Sequence, residues 1–212
     1  MKFNYFDLGL FKGVELGWMV NSIFPDMNIQ KYSAYGFEPC SVFYEDLISR
    51  FGNNRNITLL RKAVSGKSGK IKLFLAYNDV GNSIYETKKN VNKNDFELVD
   101  SIVFSEWIRQ NVPDFESCFN IMKVNIEGAE WPLFKDLCET GLVKNINIFC
   151  GQGHDVDKIK EFVENGVVGE YYDLLDKHGI YLHRFTEHNP KKNVDMISLI
   201  KEKLDEHTFR ER

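Results

Sequence analysis

Over the first 65 residues, short apolar runs alternate with amphipathic stretches, the pattern of a β-α-β-α-β unit and a parallel sheet. A strand is predicted over 3–8, ending at Gly9. A helix follows over 13–24, with Val14, Leu16, Trp18, Met19, Ile23 and Phe24 at helical spacing and Pro25 as its stop. A second strand over 32–37 ends in Glu38-Pro39. The next helix spans 41–51 with Phe43, Tyr44, Leu47 and Ile48 on one face, and Gly52 closes it. A third strand covers 57–64. After the turn 65–69, the alternation of Ile71, Leu73 and Leu75 predicts a strand paired back on its neighbour.

Residues 77–96 are the least regular, with Asn78, Asn82, Lys88, Lys89, Asn90, Asn92, Lys93 and Asn94 all polar, and are expected to form a mobile, lid-like loop of solvated side chains. Strand-like sequence resumes over 96–104, and Ser105 is the expected N-cap of a short helix carrying Trp107 and Ile108. A very apolar strand is predicted over 119–126, a helix over 130–139 closed by Gly141, and a buried strand over 146–150. A helical region then runs to about His178, with final strands over 180–185 and 196–200 and a charged, frayed helix over 201–212.

Composition narrows the class. The 212 residues carry 27 Lys+Arg against 31 Asp+Glu, a net charge of −4, and are 43% hydrophobic. One globular domain over 1–212 is expected. The mild acidity disfavours a sequence-independent nucleic-acid binder. No apolar run approaches a membrane span, and residues 1–7 lack a signal peptide's apolar stretch. Cys40, Cys118, Cys138 and Cys150 are scattered without metal spacing, which suits buried thiols in a reducing, cytoplasmic setting.

Three segments fall at the predicted carboxyl ends of strands, where open α/β sheets bind ligands. The first, Asp7-Leu8-Gly9-Leu10-Phe11-Lys12-Gly13, gives a glycine turn with an acid suited to a cationic group rather than a diphosphate. In the second, Glu38 ends its strand 25 positions after Gly13, where a carboxylate can accept ribose hydroxyls. The third delivers Asn125, Ile126 and Glu127 from a buried strand, with Gly128 turning the chain into a helix. His154, reached from the 146–150 strand through Gly151-Gln152-Gly153, falls on the same edge and suits a general base. The other histidines, His178, His183, His188 and His207, read as surface residues.

The third segment, Ile121 to Trp131, resembles the late signature of the FkbM-type methyltransferase family, and the earlier pieces follow in family order: Asp7-x-Gly9-x-x-x-Gly13, Phe37-Glu38-Pro39, and Lys62-Ala63-Val64-Ser65 before Gly69. Val103 to Ile108 stands where the family starts a helix. Two departures are clear: Leu10-Phe11-Lys12 replaces Ala-Asn after the first glycine, and Asn125 replaces an aspartate. The resemblance implies a Rossmann-like class I fold, with a mostly parallel twisted sheet flanked by helices and an antiparallel final strand. It further implies an S-adenosylmethionine-dependent O-methyltransferase acting on a hydroxyl of a sugar or glycan. Lipid, polyketide or protein acceptors, or a non-catalytic nucleotide-binding module, stay open. Expected cofactor contacts are Asp7, Gly9, Lys12, Gly13, Glu38, Pro39, Val64, Asn125 and Ile126, with Ser83 from the lid-like loop; expected acceptor contacts are Tyr85 of that loop, Glu130 and Trp131. Glu127 and His154 are the expected catalytic groups. No metal is expected, because Asn125, Glu127 and His154 make a thin ligand set.

Overall fold

The computed structural model describes residues 1–78 and 80–210, the last four by backbone alone. Asp79 of the polar loop and residues 211–212 of the tail lie outside the described residues.

Strand β1 (Phe3–Leu8) is buried at all six positions. Its alternation sends Phe6 and Leu8 into one core, with Phe104, Leu133 and Phe134, and Phe3 and Tyr5 into another, with Leu16, Leu47 and Ile200. Such two-sided burial is the signature of a parallel sheet clad by helices on both faces. After β1 come α1 (Val14–Trp18), a π-helical turn (Met19–Ile23) and α2 (Phe24–Asp26), then β2 (Tyr32–Phe37), α3 (Ser41–Phe51) and β3 (Ile57–Leu60). The helical run therefore carries Pro25 in its last turn instead of stopping before it.

The third strand is not continuous. It breaks at Arg61, and β4 (Lys62–Val64) leaves the main sheet for a second one, with β5 (Gly69–Ala76) and β6 (Val91–Ile102) in the order β4-β6-β5. Strand β5 pairs antiparallel with β6, not with its sequence neighbour β4. Because β6 begins at Val91, only 77–90 of the polar segment stands outside a strand.

The chain continues through α4 (Phe104–Asn111), β7 (Phe119–Val124), α5 (Glu130–Glu139), β8 (Ile148–Gly151), a 3-10 turn (Asp155–Lys158), α6 (Lys160–Glu164), α7 (Val167–Lys177), β9 (Leu182–His183) and α8 (Met196–Arg210). Ser105 does not cap α4: Val103 holds that position, and the Ser105 N–H and hydroxyl instead donate to Asp136 of α5. The main sheet runs β3-β2-β1-β7-β8-β9, and every described pairing in it is parallel.

Two expectations fail at the C-terminal end. The final strand runs parallel, because α6 and α7 form a crossover that returns the chain to the starting end before β9. Residues 196–200 are the start of α8, not a strand. Met196, Leu199 and Ile200 recur at i, i+3 and i+4 and seat one helical face against Tyr5, Ile121 and Ile148. Among the described residues, no helix is long and apolar enough to cross a membrane.

Candidate functional site

Strand order reverses at β1: β2 and β3 build outward on one side, and β7 to β9 on the other. The crevice at such a switch point, beyond the carboxyl ends of the strands, is where open sheets take ligands. A cleft enclosing about 730 Å³ of empty space, part of it open to solvent, lies there. Its floor is Gly9, Asn125 and Ile126; one wall is Phe37, Glu38 and Pro39; the other is the small sheet through Lys62, Val64 and Leu73. Val80, Gly81, Asn82 and Ile84 of the polar loop and Glu127 complete the mouth. Gly9 is obligatory: at φ +81° a Cβ would stand 1.9 Å from the Asn125 carbonyl oxygen. Its use is close approach of two strand ends.

Glu38 is almost fully buried. Its Oε2 accepts the Phe11 N–H at 2.8 Å and its Oε1 the Cys40 N–H at 2.9 Å, so it ties the turn after β1 to the start of α3. Burial pushes its carboxyl up to about 7, against the pull of those two donors. A carboxylate has about four acceptor positions, so two remain for a ligand in the cleft. Phe11, at φ +50° with its ring 4.7 Å from that of Phe43, pays a strain common at ligand sites.

Asp7, expected to face a ligand's ammonium group, does not line the cleft. Register places it beside Lys123 of β7, and the two form a buried ion pair at 2.9 Å. The Tyr5 hydroxyl also donates to Asp7, and Lys123 Nζ donates to the Gly9 carbonyl at 2.6 Å. Burial first, opposed by Lys123, leaves the Asp7 carboxyl raised to about 6. The pair braces the glycine turn from beneath. Gly13 is likewise architectural: a Cβ there would stand 2.5 Å from Leu47 of α3. Lys12 is exposed, its ammonium near the Phe11 ring and its carbonyl accepting from Arg50.

Beyond β7, Asn125 Oδ1 is buried and has no hydrogen-bond partner among the described residues. Glu127 lies on the cleft with a left-handed backbone, φ +58°. Its carboxylate is bound by Lys88 and within hydrogen-bonding reach of Asp155; burial and Asp155 push it up to about 7 although Lys88 acts the other way. Glu130 is fully buried and faces inward: its carboxylate accepts the N–H groups of Ile126 (3.0 Å) and Gly128 (2.6 Å). It holds the turn that presents Asn125 and Glu127 and is not free to meet an acceptor.

Seven sequence-derived residues meet at the cleft: Gly9, Glu38, Pro39, Val64, Asn125, Ile126 and Glu127. Ser83 is buried just behind it, its hydroxyl donating to the Glu127 carbonyl at 2.7 Å. Tyr85 turns away, its ring 4.9 Å from Phe162. Trp131 packs partly against the core with Lys135 over its ring. His154 is half-exposed and off the cleft, and its Nε2 lies 3.9 Å from Asp155 Oδ1. Conversely, His188 reaches the cleft, and Lys88 is buried rather than solvated.

No known family pattern matches the chain, and no match was found among curated proteins. Among solved structures the chain is similar to a methyltransferase FkbM from Methylobacillus flagellatus KT, at 15% identity and a TM-score of 0.39. That similarity covers 69% of this chain and 32% of that one, so the chain spans less than a third of that protein's length.

Proposed function

We propose that this chain is an S-adenosylmethionine-dependent methyltransferase acting on a hydroxyl of a sugar or glycan. One observation carries the reading: Glu38 ends β2 on the switch-point cleft, fixed by two backbone donors and keeping acceptor capacity toward the open space. The cofactor fits the residues present. Glu38 would accept the ribose hydroxyls, Pro39, Val64 and Ile126 supply apolar walls for the base, and the unpartnered Asn125 Oδ1 offers an acceptor to the ammonium end. When bound, S-adenosylmethionine supplies an electrophilic sulfonium methyl.

The chain's own task is to orient the acceptor oxygen and take its proton. Glu127 is the carboxylate on the cleft able to do so, while His154 stands off it. Asn82, Lys62 and His188 give the mouth a polar lining that favours a hydroxyl-rich acceptor over an acyl chain.

Calorimetry with S-adenosylhomocysteine and with NAD tests the reading. Binding of the first and not the second is expected; NAD binding in place of S-adenosylhomocysteine overturns it.

A further inference from the structure

Lys88 was expected to be one of several solvated lysines, yet its side chain is 1% exposed. A buried ammonium persists only where partners replace its water. Here Nζ donates to the Gly81 carbonyl at 2.8 Å and to Glu127 Oε2. The backbone around it is stitched to the same place: Lys88 forms an antiparallel bridge with Ile159, Thr87 Oγ1 donates to Glu161 at 2.6 Å, and Ser83 Oγ donates to the Glu127 carbonyl. Gly81 leaves the room this needs, since a Cβ there would stand 2.8 Å from Lys88 Nζ and 3.1 Å from Glu127 Oε2.

We propose that Lys88 is the positioning residue of the site: a single ammonium fixes the cleft-facing carboxylate of Glu127 and, through Gly81, fastens the 77–90 loop over the cleft mouth. The inference deepens the proposed methyl transfer and rests on it for the role of Glu127 as proton acceptor. Four charged groups face Glu127. Lys88 comes from the loop, Asp155 and Lys158 from the 3-10 turn, and Glu130 from α5. Asp155 is itself bound by Lys158, so Lys88 is the cation left to oppose the burial of Glu127. Without Lys88, Glu127 would keep its proton near neutrality and could not accept another. The same loss would free the Gly81 segment.

The test uses the full, ligand-free chain. NMR of carboxyl-labelled glutamate follows Glu127, assigned with Glu127→Gln, in the parent, Lys88→Met and Lys88→Arg. Chymotrypsin, which cuts after Tyr85 and is indifferent to lysine, follows the loop. In Lys88→Met the Glu127 midpoint should rise by roughly 1 pH unit or more, and cleavage should quicken by at least about tenfold. Lys88→Arg should restore both. An unchanged Glu127 midpoint in folded Lys88→Met overturns the proposal. If Lys88→Met does not fold, Glu127→Gln decides: it should quicken loop cleavage with Lys88 intact, and parent-rate cleavage overturns the proposal. S-adenosylhomocysteine calorimetry on the parent fails or succeeds separately from these readouts, so loss of the cofactor reading is distinguishable from loss of the Lys88 role.

Discussion

Replacing Glu38 by alanine removes two things at once, and the structure separates their sizes. The first is ligand binding. Charge-assisted hydrogen bonds from a buried carboxylate contribute about 1.5–3 kcal/mol, so S-adenosylhomocysteine should bind about 10- to 150-fold more weakly. The second is local architecture. Phe11 N–H and Cys40 N–H, held at 2.8 and 2.9 Å, lose their acceptor together. Each orphaned donor costs about 1–3 kcal/mol, and a domain of this size loses about 2–4 °C per kcal/mol, so the unfolding midpoint should fall by roughly 5–20 °C.

Glu38→Gln keeps one acceptor oxygen and sets an amide N–H against the other donor, so it should fall between parent and alanine on both scales. Ionisation adds a third handle. With the Glu38 carboxyl pushed up to about 7 by burial and the ligand favouring its charged form, affinity should weaken by roughly tenfold as pH falls from 8 to 6. Calorimetry at three pH values, paired with scanning calorimetry on each variant, reads all of this. A folded Glu38→Ala protein that binds with parent affinity removes Glu38 from the site and with it the observation on which the proposed function stands.

The brace beneath the turn gives another outcome. Lys123→Met strands Asp7 without its cation in a fully buried place, at a cost of about 3–5 kcal/mol by chemical denaturation; a loss below about 1 kcal/mol would show that the pair is dispensable. Stability should also depend on pH in an unusual direction. Burial raises Asp7 to about 6 and Glu130 to about 8, so these groups bind protons more tightly folded than unfolded. Their contribution is full only below the unfolded carboxyl values of about 4 and is lost as pH rises from there through the folded values, so it should lower the melting temperature between about pH 5 and pH 8; a rise over that span contradicts the assignment.

The cleft wall was readable because its residues sit where an apolar run stops. Glu38-Pro39 and Asn125-Ile126-Glu127 each follow a buried strand, and a polar group at that point has nowhere to go but the sheet's edge. Asp7 looked the same and is not, because its fate is set by register. Lys123 lies opposite it on a strand 116 positions away, and no local pattern announces that pairing. Lys88 escaped for a related reason: within a run of lysines and asparagines, only the fold brings Glu127 to one of them. The 196–200 segment failed on length, since five residues fit a strand as readily as a helix until a partner face is known.

The acids at this edge therefore divide by whether they line the cleft. Asp7 faces Lys123 and Tyr5, and both oxygens of Glu130 are taken by the turn that follows β7. Neither lines the cleft, and they hold the glycine turn and the Asn125–Glu127 turn in place. Glu38 is held by as many backbone donors as Glu130 but lines the cleft, and so does Asn125, whose Oδ1 has no hydrogen-bond partner among the described residues. A buried polar atom without a partner costs stability, and Asn125 Oδ1 belongs to a residue lining the cleft, where a ligand would supply the missing donor. The Asp7–Lys123 pair and Glu130 thus form a base beneath the cleft, while Glu38 and Asn125 line it. Asp7 and Gly13 of the first glycine motif are therefore scaffold, while the polar groups of Glu38 and Asn125 that line the cleft lie one strand to either side.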